Sequence, residues 1–333
     1  MGVVENKLLI GAEIEYFSMV PSKDEEFHRQ FWLYFLNQVS RRTPTSPGAY
    51  TGSSRAHVKR QEWDETPTVL CLGCGGKLYL DSHGGDFRKS YPEWATPECS
   101  SPLEAAKYCF AADKIISDSF FDAIRSVAKP ADRISVAKPA LFRTSCPHGT
   151  SVTRGFHESY SVLSELWKRL VDPSDPLCYQ VWIPFLASRQ LLVAPGFIDE
   201  NDEYFLSDRS RRTKHLTGSV GTELSGESRD RAVMDTRDDF GCGERKRLQL
   251  VCGEVPLDCN SAILLFGATY TILNLLEALM IEGRTDEIHG DGIISQFSNI
   301  SEAISLFSHQ SANWSNLETC VNIQKRCREF VIT

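Results

Sequence analysis

The stretch KLLIGAEIEYF, Lys7 to Phe17, begins as an apolar run and then alternates, with Ile14 and Tyr16 set against Glu13 and Glu15. Strand side chains repeat every second residue, so this segment predicts a strand whose two carboxylates share one face. Working outward, Ser22-Lys23-Asp24-Glu25 has the form of a capping box. It predicts a helix in which Phe27, Phe31, Phe35 and Val39 recur at helical spacing. Gly75 to Asp81 (GGKLYLD) predicts a second strand. Ser101-Pro102-Leu103-Glu104 combines a cap, a proline at the first helical position and a glutamate at the third, so a helix should run from there to about Ser126. Further strands are expected through Phe142 and around Gly155 to Leu163. Further helices are expected at about Tyr179 to Leu192 and Ala262 to Ile281, the last closed by Gly283. Strands and helices alternate without βαβ regularity, which predicts an α+β fold over a doubly wound parallel sheet.

The chain has 333 residues, 41% hydrophobic and 24% charged, which excludes a disordered or fibrous protein. Its 44 acidic against 36 basic residues leave a net charge of −8, the wrong sign for a nucleic-acid partner. No apolar run approaches the ~20 residues of a membrane span, and Met1 to Lys7 lacks the form of a signal peptide. The eleven cysteines, with no secretory signal, read as reduced thiols of a cytoplasmic protein. Cys71 and Cys74 form one tight CxxC, whereas a structural zinc wants two such pairs. Packed free thiols are therefore preferred there, with bound zinc as the lesser reading. Residues 43–68 are rich in Ser, Thr, Pro and Gly, carry the basic run from Arg55 to Arg60 and have no period, so they predict a long flexible surface loop. The remainder reads as one catalytic domain over 1–333.

Three groups of residues could carry chemistry. Glu13 and Glu15 on one strand face would repel unless a cation sits beside them, and Mg²⁺ suits carboxylate oxygens; a solvated strand face is the plainer alternative. Lys77 to Glu98 gathers Asp81, Asp86, Glu93 and Glu98, which fits either a general base with metal ligands or a polar loop. His157-Glu158, together with Arg189, Arg209 and Arg237, fits polyphosphate held by guanidinium forks, although each arginine alone fits a surface ion pair. No Walker loop, GxGxxG or GxSxG is present. The residues alone reach as far as a Mg²⁺–phosphate enzyme.

GAEIEY (Gly11 to Tyr16), KLYLD…YPEWATPEC (Lys77 to Cys99), GFHESY (Gly155 to Tyr160), PFLASRQLLVAPG (Pro184 to Gly196), FLSDRS (Phe205 to Ser210), MDTRDD (Met234 to Asp239) and RLQLVCGE (Arg247 to Glu254) resemble, in order, the motifs of the Pup ligase and depupylase family. The resemblance implies a curved antiparallel sheet of the glutamine-synthetase type packed with helices, with ATP and Mg²⁺ at one end and a protein substrate in a groove. It implies that Glu13, Tyr79 and Glu93 are magnesium ligands, that Asp81 is the catalytic aspartate and that Thr96 contacts ATP. Lys77 stands where the family usually has a nucleotide-contacting arginine, and Gln249 where it usually has a histidine. Glu15, His157 and Glu158 fall in the remaining metal motifs, and Arg209 and Arg237 in phosphate-facing ones.

The implied reaction is ATP- and Mg²⁺-dependent joining of a carboxylate to an amine through an acyl phosphate. The carboxylate would be borne by a peptide, a small protein tag or an amino-acid-like substrate. Cleavage of an isopeptide or amide bond with the same aspartate is the runner-up, and a non-catalytic subunit is the third reading. The chain ends at Thr333, about where the family continues into a further C-terminal part. That suggests a second chain completing the site, a more openly held nucleotide, or a substrate other than Pup.

Overall fold

The computed structural model describes residues 8–20, 22, 24–43, 69–81, 87–127, 139–143, 154–198, 201–218, 231–236, 243–284, 297–308 and 314–332. Residues 44–68 of the expected loop and Arg237 lie outside them. Packing groups the chain into two compact units. The smaller comprises 13–98 and 107–144, and the larger 1–12, 99–106 and 145–333.

In the smaller unit, β1 (Ile10–Glu15) contributes its last three residues and is followed by the short β2 (Phe17–Met19). Helix α1 (Glu25–Arg42) follows. Its cap is Asp24, two residues later than the Ser22 expected. The Asp24 carboxylate accepts from Glu26 N–H at 3.1 Å, while Ser22 Oγ accepts from Asp24 N–H at 3.1 Å. Strands β3 (Val69–Cys71), β4 (Lys77–Asp81) and β5 (Tyr91–Ala95) complete an antiparallel set in the order β1-β5-β4-β3. Alternation then sorts the faces. Ile14, Trp94, Leu78 and Leu80 are buried on one side, and the polar residues between them share the other.

The unit's aromatic core joins α1 to α2 (Pro102–Val127). Phe31 meets Phe120 edge-on at 5.2 Å, Trp32 meets Phe35 at 5.5 Å, and all four rings are buried. Burying each ring stabilises the unit by about 1.5–3 kcal/mol. Trp32 Nε1 donates to the Phe87 carbonyl at 2.9 Å. Tyr16 hydroxyl donates to Asp113 at 2.7 Å, and Arg143, just past β6 (Ala140–Phe142), pairs with the same carboxylate.

In the larger unit, the described part of 145–333 opens with β7 (Phe156–Leu163) and α3 (Ser164–Val171). The single helix expected from Tyr179 to Leu192 is instead a wide π turn over Leu177–Trp182 running into α4 (Ile183–Ser188) and α5 (Gln190–Val193). Pro184 has no N–H to give to the preceding turn, and Ile183 N–H reaches back five residues to Cys178. After β8 (Phe197–Ile198), β9 (Tyr204–Phe205) and α6 (Asp208–Arg211) come β10 (Thr213–Thr217), β11 (Arg231–Asp235) and β12 (Arg245–Gly253). The order is β10-β11-β12-β7. The α+β class holds, but β10 and β11 run parallel where an antiparallel sheet was expected. A parallel pair needs a connection of about a dozen residues, and the sequence supplies one between Thr217 and Arg231.

Helix α7 (Cys259–Ile281) is capped by Asp258, whose carboxylate accepts from Asn260 and Ser261 N–H, and it ends at Gly283 with φ +71°. It is long and apolar enough to cross a membrane by length and composition, contrary to the sequence reading. Its buried stripe of Ala262, Leu265, Phe266, Thr269, Ile272, Leu273 and Leu276 packs against β7, α3 and α5. Its Glu277 is paired with Arg245 at 2.8 Å, the pattern of a core helix. Helices α8 (Ile300–Ser308) and α9 (Trp314–Ile332) pack on α4, where Gln324 donates to Ser188 Oγ at 2.8 Å.

Candidate active site

In the smaller unit the strand register assembles one polar face. Glu15 lies opposite Glu93, Tyr79 opposite Glu93, Asp81 opposite Tyr91 and Lys77 opposite Ala95. Cross-strand partners point the same way, so Glu13, Glu15, Lys77, Tyr79, Asp81 and Glu93 all share this face. Six residues that the sequence singled out are thus brought together, with Thr96 half-buried just beyond β5.

A carboxylate oxygen of Glu13 lies within 4.8 Å of one on Glu93, and Glu93 is buried. At that separation and an effective dielectric of ~20, two ionised carboxylates repel by about 3 kcal/mol. A bound cation turns that repulsion into attraction, and hard oxygen donors of this kind fit Mg²⁺. Asp81 accepts a 2.7 Å hydrogen bond from the Tyr91 hydroxyl. Tyr91 was not among the expected site residues, yet its position two before Glu93 on a strand placed it on the same face.

In the larger unit, successive residues of β7 point opposite ways, so His157 and Glu158 cannot serve one site on one face. Both Glu158 oxygens are held by Arg189, at 2.8 and 2.6 Å, and the Tyr160 hydroxyl donates to one of them at 2.7 Å. Arg189 also donates to Thr269 Oγ1 at 2.5 Å. Glu158 and Arg189 are each fully buried. Burial alone would weaken the arginine's charged form, but the Glu158 carboxylate more than restores it and holds its pKa above the ordinary value. Burial, with Glu158 second, pushes the Tyr160 hydroxyl far up. The structure places Glu158 and Arg189 on each other, where the sequence suggested a metal ligand and a phosphate contact.

Arg209 is likewise buried. Its Nε donates to the Val251 carbonyl at 2.5 Å and its Nη1 to the Arg154 carbonyl at 3.1 Å, while Nη2 stands 3.4 Å from His157 Nε2. Its backbone N–H and the Ser207 hydroxyl both donate to Glu254, at 2.9 and 2.6 Å. Two guanidinium nitrogens are thus bonded to backbone carbonyls, and the third stands beside the His157 ring. The ring also explains Gly155, where a Cβ would lie 2.3 Å from His157 Nε2.

A sequence model of the family described as Pup-ligase protein matches residues 9–333. The Pup–protein ligase of Micrococcus luteus is 27% identical over 281 residues, covering 81% of this chain and 55% of the relative. That of Kineococcus radiotolerans is 28% identical over 218 residues, covering 65% and 43%. The chain thus spans about half the length of these curated relatives. Among solved structures, the ligase PafA in complex with the prokaryotic ubiquitin-like protein Pup superposes with a TM-score of 0.63 at 20% identity, over 98% of this chain and 57% of that one. The Pup ligase PafA in complex with ADP gives 0.56 at 23% identity, over 80% and 54%. The likenesses to the solved structures carry the fold, and the family model, matched over almost the whole length, carries the conclusion that this chain belongs to the Pup-ligase family.

Proposed function

We propose that the chain carries the catalytic core of an ATP- and Mg²⁺-dependent carboxylate–amine ligase that forms an amide or isopeptide bond. The observation that carries this is the single polar sheet face holding Glu13, Glu15, Tyr79, Asp81 and Glu93, in a chain of the Pup-ligase family. The relative solved with Pup supports a small protein as the carboxylate-bearing substrate, and the one solved with ADP supports ATP as the phosphoryl donor.

In this reading Glu13 and Glu93 hold Mg²⁺, with Tyr79 and Glu15 beside them on the same face. Bound Mg²⁺ would neutralise the phosphate oxygens while the substrate carboxylate attacks. Asp81, its carboxylate oriented by the Tyr91 hydroxyl, takes the proton from the amine that displaces phosphate. Lys77 and Thr96 contact the nucleotide. His157, Arg209 and Arg237 keep the metal- and phosphate-facing roles that the family resemblance gives them, while Glu158 is left out because Arg189 holds it. A cytoplasmic location belongs to the same proposal.

The test is phosphate release from ATP with Mg²⁺, with and without a Pup-like protein and amine acceptors. Amine-stimulated release, abolished in Asp81→Asn while ATP still binds, is the expected outcome. Amide cleavage without nucleotide consumption, or near-normal turnover in Asp81→Asn, would overturn the assignment.

A further inference from the structure

The hairpin that joins β3 to β4 carries the run Cys71-Leu72-Gly73-Cys74-Gly75-Gly76, none of which the proposed reaction uses. Cys71 ends β3 and Cys74 stands in the turn. The turn is closed twice. Leu72 N–H donates to the Gly76 carbonyl at 2.9 Å, and Gly75 N–H donates to the Leu72 carbonyl at 2.9 Å. This is the pattern of a three-residue hairpin loop that ends in a left-handed residue, and Gly75 takes that position at φ +91°. Gly76 is equally constrained, because a Cβ there would lie 2.7 Å from the Ala95 carbonyl oxygen. The two glycines are therefore needed for this turn, and the turn fixes the backbone that bears the two sulfurs.

The pair also differs from the buried thiols in its surroundings. Cys99, Cys109, Cys178, Cys252, Cys320 and Cys327 are buried, whereas Cys74 is exposed and Cys71 half-buried. Burial pushes Cys178 and Cys327 up to about 12 and Cys252 and Cys320 up to about 11, so those four stay protonated at neutral pH. Packed free thiols were expected at Cys71 and Cys74, where Cys71 is half-buried and Cys74 exposed. Two cysteines separated by two residues on a glycine-closed hairpin give half of the donor set that thiophilic ions take in structural sites.

We propose that Cys71 and Cys74 form a two-thiolate site for a thiophilic divalent cation, Zn²⁺ in particular. Binding releases the two thiol protons as the two metal–sulfur bonds form, and solvent or small ligands take the remaining coordination positions. Cys71 lies directly across from Lys77, so the ion would sit at one end of the polar sheet face.

The experiment uses the whole chain, kept reduced with a phosphine and titrated with Cd²⁺ as a spectroscopic stand-in for Zn²⁺. The expected result is ultraviolet thiolate-to-metal absorption that saturates at one ion per chain and is displaced by Zn²⁺. It should be lost in both Cys71→Ser and Cys74→Ser and kept in Cys259→Ser, a variant at an exposed cysteine elsewhere. Circular dichroism of each variant checks that the fold is intact. Saturation at one ion per two chains, with dimerisation and the same dependence on Cys71 and Cys74, also supports the two-thiolate donor and shows a second copy filling the shell. Absence of the absorption in the unmodified chain, or its survival in both hairpin variants, would overturn the proposal.

Discussion

Glu158 and Glu93 are both buried glutamates in the middle of strands, and the fold treats them in opposite ways. Glu158 meets its own counter-ion, with both oxygens on Arg189 and a further bond from Tyr160. Glu93 is brought within 4.8 Å of another carboxylate, that of Glu13. The first arrangement neutralises a charge inside the protein and belongs to stability. The second concentrates like charge on one face and makes sense when a cation is to be received. Buried acid by itself therefore says little about function; its neighbours decide which kind it is.

The largest effect expected from this contrast is on stability. Arg189→Met leaves Glu158 charged in an apolar interior, and removing one partner of such a pair costs about 3–5 kcal/mol. The denaturant midpoint should fall accordingly. Adding Glu158→Gln should recover most of the loss, because replacing both ions of a buried pair is far milder than removing one. A loss under about 1 kcal/mol in Arg189→Met would break the comparison at its structural end. Glu93→Gln tests the other end. Taking away one of two neighbouring carboxylates should leave stability within about 1 kcal/mol of the parent, since it also removes the repulsion. A rise in thermal midpoint on adding Mg²⁺ is expected for the parent and should disappear in the variant. A Glu93→Gln variant as unstable as Arg189→Met, or one still stabilised by Mg²⁺, would mean that Glu93 is structural after all.

The two ends were not equally visible in the sequence. The polar face was legible because it depends on a local rule: Glu13 and Glu15, and Lys77, Tyr79 and Asp81, sit at every second position of short strands. The same rule would have found Tyr91. It also shows that His157 and Glu158 point apart, although they are adjacent in the motif. The partnership of Glu158 with Arg189 spans 31 positions and depends on where the junction of α4 and α5 comes to lie, which no local pattern encodes. The break near Pro184 was visible as a proline but not as a π turn, since the width of a turn is settled by tertiary packing. The parallel β10–β11 pair was likewise out of reach, because strand direction follows from where the chain returns.

Asp208 stands between the two extremes and gives the smallest test. Its carboxylate is buried, yet its counter-ions are local: Arg211 at 2.6 Å and Arg212 at 2.9 Å, three and four residues on. Burial alone would raise its pKa, but the guanidinium groups of Arg212 and Arg211 outweigh burial and hold it below the ordinary carboxylate value. An acid whose pKa is lower in the folded state adds stability above its unfolded pKa of ~3.9 and loses that stability as pH falls through the folded value. Asp208→Asn should therefore cost up to about 1 kcal/mol at neutral pH, less at high salt, and should flatten the fall in stability below pH ~4. If the acid limb of the variant superimposes on that of the parent, the local arginines contribute nothing. Long-range pairing of the Glu158 kind would then be what distinguishes a buried acid that stabilises the fold.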